Sequence, residues 1–548
     1  MGRRRRVIRR RVVLVENSGS MGWATNARKK HEYLESRSKR SAYIRGLVWF
    51  ALFAPAIALG IYGRNLPALG RRVDDGIYFA TAHSIATEFS YRISSLPGAP
   101  YQTKYPPAYP ALLSVAWNIP PYPNLPVAEL LNWLALPLYV FGAVQLARLA
   151  GLEWPWQFVV ALGAICGHET LWNSIILFSD LWFSALTIFA LLLAGRLKKG
   201  AGYGEIFAAA ILANLAYLTR TSGIVLPAAI LLVLLAHRRW CPALIFALGT
   251  LPVIAAWSWW AFHHAPALLT DYNDIFNLSY SGVLRAETNW SMLPARVYHK
   301  AIAGILSVGA LLQPGFGSGG FALPIWTGVV AMSAAGYRRL LCSEVFQMSG
   351  LFALLYGAML LIWPWIFFSR LTLPVLPLLL TGLAVTLQRL RVPPVAPGFL
   401  FAGIYLLSFV EHLGFLTQMS DEANTQAYRW VQMHTSANAT FVADPDTTFW
   451  LRTGRQAESI HVSVREDQSA DSVHERLGDL AAFARRRGHE YLFFSASFLQ
   501  RNWSAVSHEE MQRRLDSDPA VKPVYRSQAV TIYHVRPVDG IRNNSSGP

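Results

Sequence analysis

The chain has 548 residues, 53% of them hydrophobic, with a mean hydropathy of +0.29 and a formal net charge of +17. Residues 1–45 hold 14 Lys/Arg and 3 Asp/Glu, residues 46–418 hold only 33 charged side chains, and residues 419–548 hold 15 basic and 16 acidic ones. A soluble protein is about 25% charged, so the nearly uncharged middle reads as membrane-embedded and a soluble enzyme is excluded. A disulfide scaffold is excluded too, because the three cysteines, Cys166, Cys241 and Cys342, lie in or beside apolar runs.

The N-terminal run Arg3–Arg6 and Arg9–Arg11, followed by Arg28–Lys30 and Lys39–Arg40, reads as an orientation signal ahead of a first span rather than as a nucleic-acid arm. No small-residue cleavage site follows it, and Met21 is an alternative start. About eleven spans are expected: 44–62, 127–147, 157–177, 181–196, 205–218, 222–237, 242–262, 321–337, 345–363, 371–387 and 397–416. With the N-terminus inside, basic residues fall in the short inner turns: Arg148, Arg196, Lys198–Lys199, Arg238–Arg239, Arg338–Arg339, Arg389 and Arg391. Two long outer loops result, 63–126 and 263–320. Three short outer turns each carry one charge, Asp180, Arg220 and Arg370. The expected organisation is a basic cytoplasmic segment 1–43, a membrane body 44–417, a small outer α/β domain 418–536 and a tail 537–548. Strands are expected at Thr440–Ala443, Tyr491–Ser495, Pro523–Arg526 and Val530–Val535, and a helix at Ser472–Arg487 ending before Gly488. Asp444 and Asp446 flank Pro445 in an expected turn.

The first outer loop carries the densest chemistry. It reads Arg71-Arg72-Val73-Asp74-Asp75-Gly76-Ile77-Tyr78 and ends in Lys104-Tyr105-Pro106-Pro107. Asp75, Tyr78, Phe79 and Ala82 fall at helical spacing, so the adjacent aspartates open a short helix, where capping alone already favours Asp. Capping does not account for the Lys-Tyr-Pro-Pro segment, whose prolines fix the backbone that carries Lys104.

The ordered set of Asp74-Asp75-x-x-Tyr78, Lys104-Tyr105-Pro106-Pro107, Ser179-Asp180, the Leu218–Gly223 turn and the Arg370–Pro377 stretch resembles the GT-C membrane glycosyltransferases. Within them it looks like the branch of the aminoarabinose transferases and protein O-mannosyltransferases. The resemblance covers residues 44–417; it departs in having Asp-Asp where many relatives show Asp-Glu, and Lys-Tyr-Pro-Pro where Lys-Pro-Pro is commoner. It implies a polyprenyl-phosphate-linked sugar donor, transfer at the outer face with inversion, and a lipid, glycan or protein acceptor. Asp74 or Asp75 is then the expected base. Lys104, Tyr105, Arg220 and Arg370 are expected at the leaving phosphate, with Tyr78 and Asp180 positioning the substrates. Asp74, Asp75 and Asp180 are also the candidate oxygen ligands for a divalent Mg, Mn or Ca ion. Zinc at His83, His168 with Glu169, or His263–His264 is a weaker reading. In the second loop, Asp271, Tyr272, Asp274, Arg285, Trp290, Arg296 and Lys300 suit acceptor recognition or simple solvation. A multi-pass transporter is the alternative function and a non-catalytic membrane anchor a further one. The resemblance further implies a bacterial inner membrane.

Overall fold

The structure is a computed structural model that describes residues 46–70, 72, 74–197, 202–264, 293–362, 369–418, 424–459, 480–495 and 508–536. The basic segment 1–43, the loop residues Asp271, Tyr272, Asp274, Arg285 and Trp290, and the tail 537–548 lie outside the described residues. Contacts divide the chain into Met1–Ile57 and a larger unit, Ala58–Pro548, which holds the remaining helices and the sheet.

This is a multi-pass membrane protein. Among the described residues five helices are long and apolar enough to cross a bilayer: Gly46–Gly63, Leu125–Leu149, Trp240–His263, Glu344–Leu361 and Val395–Thr417. Shorter apolar helices lie between them, among them Trp154–Ile165, Tyr203–Thr219, Thr221–Ala236 and Leu376–Arg389. On Trp240–His263, Leu244, Leu248, Leu251, Trp259 and Phe262 are all exposed, an apolar face that lipid, not water, suits. Interior packing uses small residues. Ala209, Ala210, Ala213 and Ala216 of Tyr203–Thr219 are buried against the neighbouring helices, and a Cβ at Gly336 would lie 1.9 Å from the carbonyl oxygen of Gly382. Only Gly lets those two backbones meet.

Among the described residues each expected span falls largely on helix, and five of those helices, or six if the bent pair His168–Ile175 and Asp180–Ala194 is one span, are long and apolar enough to cross. The expected span 157–177 is the main departure. Helix Trp154–Ile165 stops at Cys166, and His168–Ile175 then meets Asp180–Ala194 at 108°. The break is packed from outside: a Cβ at Gly167 would lie 2.8 Å from the carbonyl oxygen of Leu311, on the helix Leu293–Leu312.

Among the described residues beyond 424, five strands form one sheet in which the chain's second strand is at one edge, followed by the first, third, fifth and fourth. The strands are β1 Phe441–Ala443, β2 Ala457–Glu458, β3 Tyr491–Ser495, β4 Val521–Arg526 and β5 Val530–Val535. β1 runs parallel to β2 and β3, while β5 runs antiparallel to β3 and β4. Alternate strand residues feed opposite faces. Val442, Leu492 and Phe494 pack with Leu480, Ala484 and Met511, whereas Phe441, Phe493 and Ile532 pack with Tyr428, Val431 and Phe449. Pro523 is tolerated because β4 is an edge strand. The expected helix is described from Leu480 to Arg487 and closes at Gly488, φ +74°. The expected turn around Pro445 is instead the start of a helix, Asp446–Thr453.

That helix docks the sheet onto the first loop. Thr448 donates to the Leu69 carbonyl at 2.5 Å, and the Ala457 amide donates to the Ser95 carbonyl at 3.0 Å. A Cβ on Gly76 would lie 2.4 Å from Thr447 Oγ1 and 3.1 Å from Gly70 Cα. The glycine of Asp74-Asp75-Gly76 is therefore required by the close approach of a segment some 370 positions away in the sequence.

Candidate active site

Helix Asp74–Glu88 begins with both aspartates, yet the fold gives them different surroundings. The chain enters through Gly70 at φ +76°, a conformation glycine adopts without strain. The Asp75 carboxylate, fully buried, accepts the amides of Gly70 at 2.8 Å and Arg72 at 3.1 Å. It closes the turn leading into the helix. Asp74 instead accepts the Tyr105 hydroxyl on Oδ1 at 2.5 Å and Arg370 Nη2 on Oδ2 at 2.6 Å.

Tyr105 and Lys104 are held by their own loop. Gln102 Oε1 accepts both of their amides, at 3.0 and 3.2 Å, and the Tyr91 hydroxyl donates to the Tyr105 carbonyl at 2.8 Å. The ring of Tyr78 lies 4.8 Å from that of Tyr105, and Lys104 Nζ lies 5.0 Å from the Tyr105 ring centroid.

Asp180 arrives through the broken helix. Asn132 Nδ2 donates to the carbonyls of Asn173, Ser174 and Ile176 at 2.9–3.1 Å, while its Oδ1 accepts the Tyr109 hydroxyl at 2.7 Å. One buried amide thus satisfies the carbonyls that the bend at Ile176 leaves outside the helical ladder. Beyond it, Ser179 Oγ meets the Tyr78 hydroxyl at 2.9 Å, and Asp180 Oδ2 forms an ion pair with Arg220 Nη1 at 2.7 Å. Arg370 Nη1 stands 3.9 Å from the same Asp180 oxygen. Ser369 donates to Glu169 at 2.5 Å and fixes the turn that carries Arg370, whose guanidinium lies 4.3 Å from the Phe178 ring centroid.

The result is an alternating row, Asp74–Arg370–Asp180–Arg220, with Lys104 close enough to act on the same field. Buried ions are tolerated only with such pairing. Burial works to raise the Asp74 carboxyl, but Arg370, Lys104 and the Tyr105 hydrogen bond outweigh it and hold it at about 2. Burial pushes the Lys104 ammonium below the ordinary lysine range, opposed by Asp74. Two carboxylates facing three cations leave one positive charge over, an arrangement that accepts an anion.

The three expected metal carboxylates do not converge: Asp75 is turned to backbone amides, while Asp74 and Asp180 face arginines. Among the described residues no group of three His, Cys, Asp or Glu side chains comes together as a metal site. The expected zinc histidines are dispersed. His83 meets Ser94 at 3.0 Å, His168 meets Glu411 at 3.3 Å, and His263 and His264 face the carbonyls of Trp259 and Trp260. Lys300 of the second expected loop is buried on the helix Leu293–Leu312. Asn132 was not among the expected site residues, Glu169 was expected only beside His168 in the zinc reading, and Ser179 only as part of the Ser179-Asp180 motif. Asn132 carried a legible signal, since a polar residue inside an apolar span marks a buried role. Glu129, one turn before it, is 2% exposed with neither oxygen hydrogen-bonded.

No family model and no curated protein sequence matches the chain. Solved structures do. ArnT from Cupriavidus metallidurans bound to undecaprenyl phosphate superposes with a TM-score of 0.54 at 14% identity, covering 88% of this chain and 97% of that one. The same protein in the apo state gives 0.52 at 13% identity, covering 89% and 98%. ArnT is an aminoarabinose transferase of the GT-C superfamily, and the chain has the GT-C fold.

Proposed function

We propose that the protein is an inverting glycosyltransferase that moves a hexosyl or pentosyl group from a polyprenyl-phosphate donor to a lipid, glycan or protein acceptor. The observation that carries this reading is the Asp74–Arg370–Asp180–Arg220 row with Lys104 beside it, gathered at helix ends within a GT-C fold. A structure of that fold holds undecaprenyl phosphate, the chemistry such a cationic row suits. Transporters place their substrate charges halfway along the spans; here they stand at helix ends.

In the reaction the donor phosphate is gripped by Arg370, Arg220 and Lys104. Guanidinium groups suit this because they hold two phosphate oxygens at once. Binding draws Arg370 away from Asp74 and so raises the basicity of a carboxylate that the free protein holds low. Asp74 then takes the proton of the acceptor hydroxyl or amine as its heteroatom bonds to the anomeric carbon. The bond from that carbon to the phosphate oxygen breaks, and the electron pair leaves on a phosphate already facing fixed cations. One displacement inverts the centre. Tyr105 orients Asp74, Asp180 positions both arginines, Tyr78 lines the site, and Asp75 holds the helix start rather than acting as the base.

The N-terminal arginine cluster supports a cytoplasmic N-terminus, and the sheet domain, docked on the first loop through Thr448 and Ala457, is proposed to lie on the outer side with that loop. A bacterial inner membrane is the setting proposed. Native mass spectrometry of protein purified in nanodiscs tests the donor site. Wild type is expected to retain a polyprenyl phosphate or its glycosylated form, whose mass names the sugar, and Lys104→Ala and Arg220→Ala are expected to lose it. Wild type that holds no such lipid, even supplied in excess, refutes the reading.

A further inference from the structure

Between the first loop and the sheet lies a cleft of about 440 Å³ lined by His83, Glu88, Ser94, Asn438, Trp450 and Gln456 among others. Trp450 supplies the large aromatic ring of the cleft's lining; it stands 5.1 Å from His83 and is backed at 5.9 Å by Trp117, which lies 4.7 Å from His83. Its walls are polar and already built. His83 Nδ1 meets Ser94 Oγ at 3.0 Å, and Gln456 bridges the Gly98 amide and the Ser94 carbonyl at 3.2 and 3.3 Å. Those contacts orient His83 and Gln456 in the wall, while the Asn438 amide is exposed at its edge. His83 follows Asp74 by nine residues on one helix, about 13 Å along the axis at 1.5 Å per residue. A ligand in the cleft is therefore not the reacting group but what lies behind it.

We propose that this cleft binds the carbohydrate part of the acceptor, making the acceptor a glycan or glycoconjugate rather than a bare lipid or peptide. A sugar ring has an apolar face of C–H groups and an equator of hydroxyls. The first suits an aromatic plate, and the second suits amide and imidazole side chains that donate and accept beside a carboxylate that accepts. A fatty chain would use none of the hydrogen-bonding groups of Glu88 and Asn438 at the mouth of the cleft. The part this cleft plays in transfer rests on the glycosyltransferase reading; its affinity for sugar does not.

The test is saturation-transfer difference NMR on the full chain in nanodiscs, with maltotriose, mannotriose, chitotriose and arabinotriose as probes. At least one is expected to bind wild type. Trp450→Ala is expected to weaken it about tenfold and Asn438→Ala severalfold, with polyprenyl-phosphate retention unchanged in both. Asn438 is exposed and in none of the hydrogen bonds above, so its variant keeps the test meaningful if Trp450→Ala does not fold. Wild type that binds none of the four, or binding that neither variant weakens, overturns the proposal. Sugar binding without lipid retention would sink the transfer reading and leave the carbohydrate site standing.

Discussion

Replacing Asp74 with Asn separates the roles of the two adjacent aspartates. The variant keeps the shape of the side chain and its contact with Tyr105 but removes the negative charge facing Arg370 at 2.6 Å. General-base catalysis contributes typically about 10²–10⁴ in rate, so turnover should fall by at least about a hundredfold, roughly 3 kcal/mol at about 1.4 kcal/mol per decade. The pairing is also lost. The drop of the Asp74 carboxyl from 3.8 to about 2 corresponds to about 2 kcal/mol favouring the folded, ionised form. Donor binding should move the other way, because Arg370 no longer has Asp74 as a competitor for phosphate. The assay pairs transfer from the donor identified by its retained mass with lipid retention measured by native mass spectrometry. Expected is a large loss of turnover with retention equal to or above wild type. Asp75→Asn instead places an NH₂ group or a weaker acceptor against the Gly70 and Arg72 amides, and should lower thermal stability. Turnover of Asp74→Asn within tenfold of wild type, or a greater turnover loss from Asp75→Asn at unchanged stability, would refute the assignment of Asp74 as base.

Arg370→Lys should restore only part of the lipid retention lost in Arg370→Ala, since an ammonium cannot hold two phosphate oxygens and reach Asp180 as well; equal retention by both would count against a guanidinium grip. The folded Asp74 value lies below its unfolded one, so its stabilisation is fully present above about pH 4 and is lost as pH falls through about 2. Thermal stability of wild type and Asp74→Asn should accordingly converge only in that acid window. Gly76→Ala should cost about 1–3 kcal/mol, because its Cβ would meet Thr447 Oγ1 at 2.4 Å; adding Thr447→Gly should recover part of the lost melting temperature. Asn132→Leu leaves the Tyr109 hydroxyl and the buried Asn173 and Ser174 carbonyls short of a partner, at about 1–3 kcal/mol each where nothing replaces it, while the Ile176 carbonyl keeps the Phe178 amide. It should lower melting temperature and, by releasing Asp180, turnover.

The broken helix shows why a membrane body that resembles a bundle in sequence is more than one. Hydropathy reads 157–177 as a single crossing. The chain instead stops at Cys166 and turns, because Gly167 meets the Leu311 backbone and Asn132 satisfies the carbonyls at the bend. The turn delivers Phe178, Ser179 and Asp180 to the row of charges.

What the sequence by itself determined is what depends on neighbours along the chain. The charge-poor body, the helices within it, four of the five strands and the cap-like start at Asp74 all follow from local composition, periodicity and turn chemistry. Asp180, Arg220 and Arg370 were legible because charges at span ends are costly without a purpose, and Asp74 and Tyr105 because the first outer loop carries them in an ordered set of motifs. Tertiary structure decided which partner each one has. Asp74 and Asp75 are adjacent and chemically identical, yet one faces an arginine 296 positions away and the other faces its own backbone. The same holds for the cleft, whose walls join Ser94 to Gln456 across 362 positions. Such pairings arise from which backbones approach at Gly70 and Gly76, and no local pattern encodes the other half of a contact that closes across most of the chain.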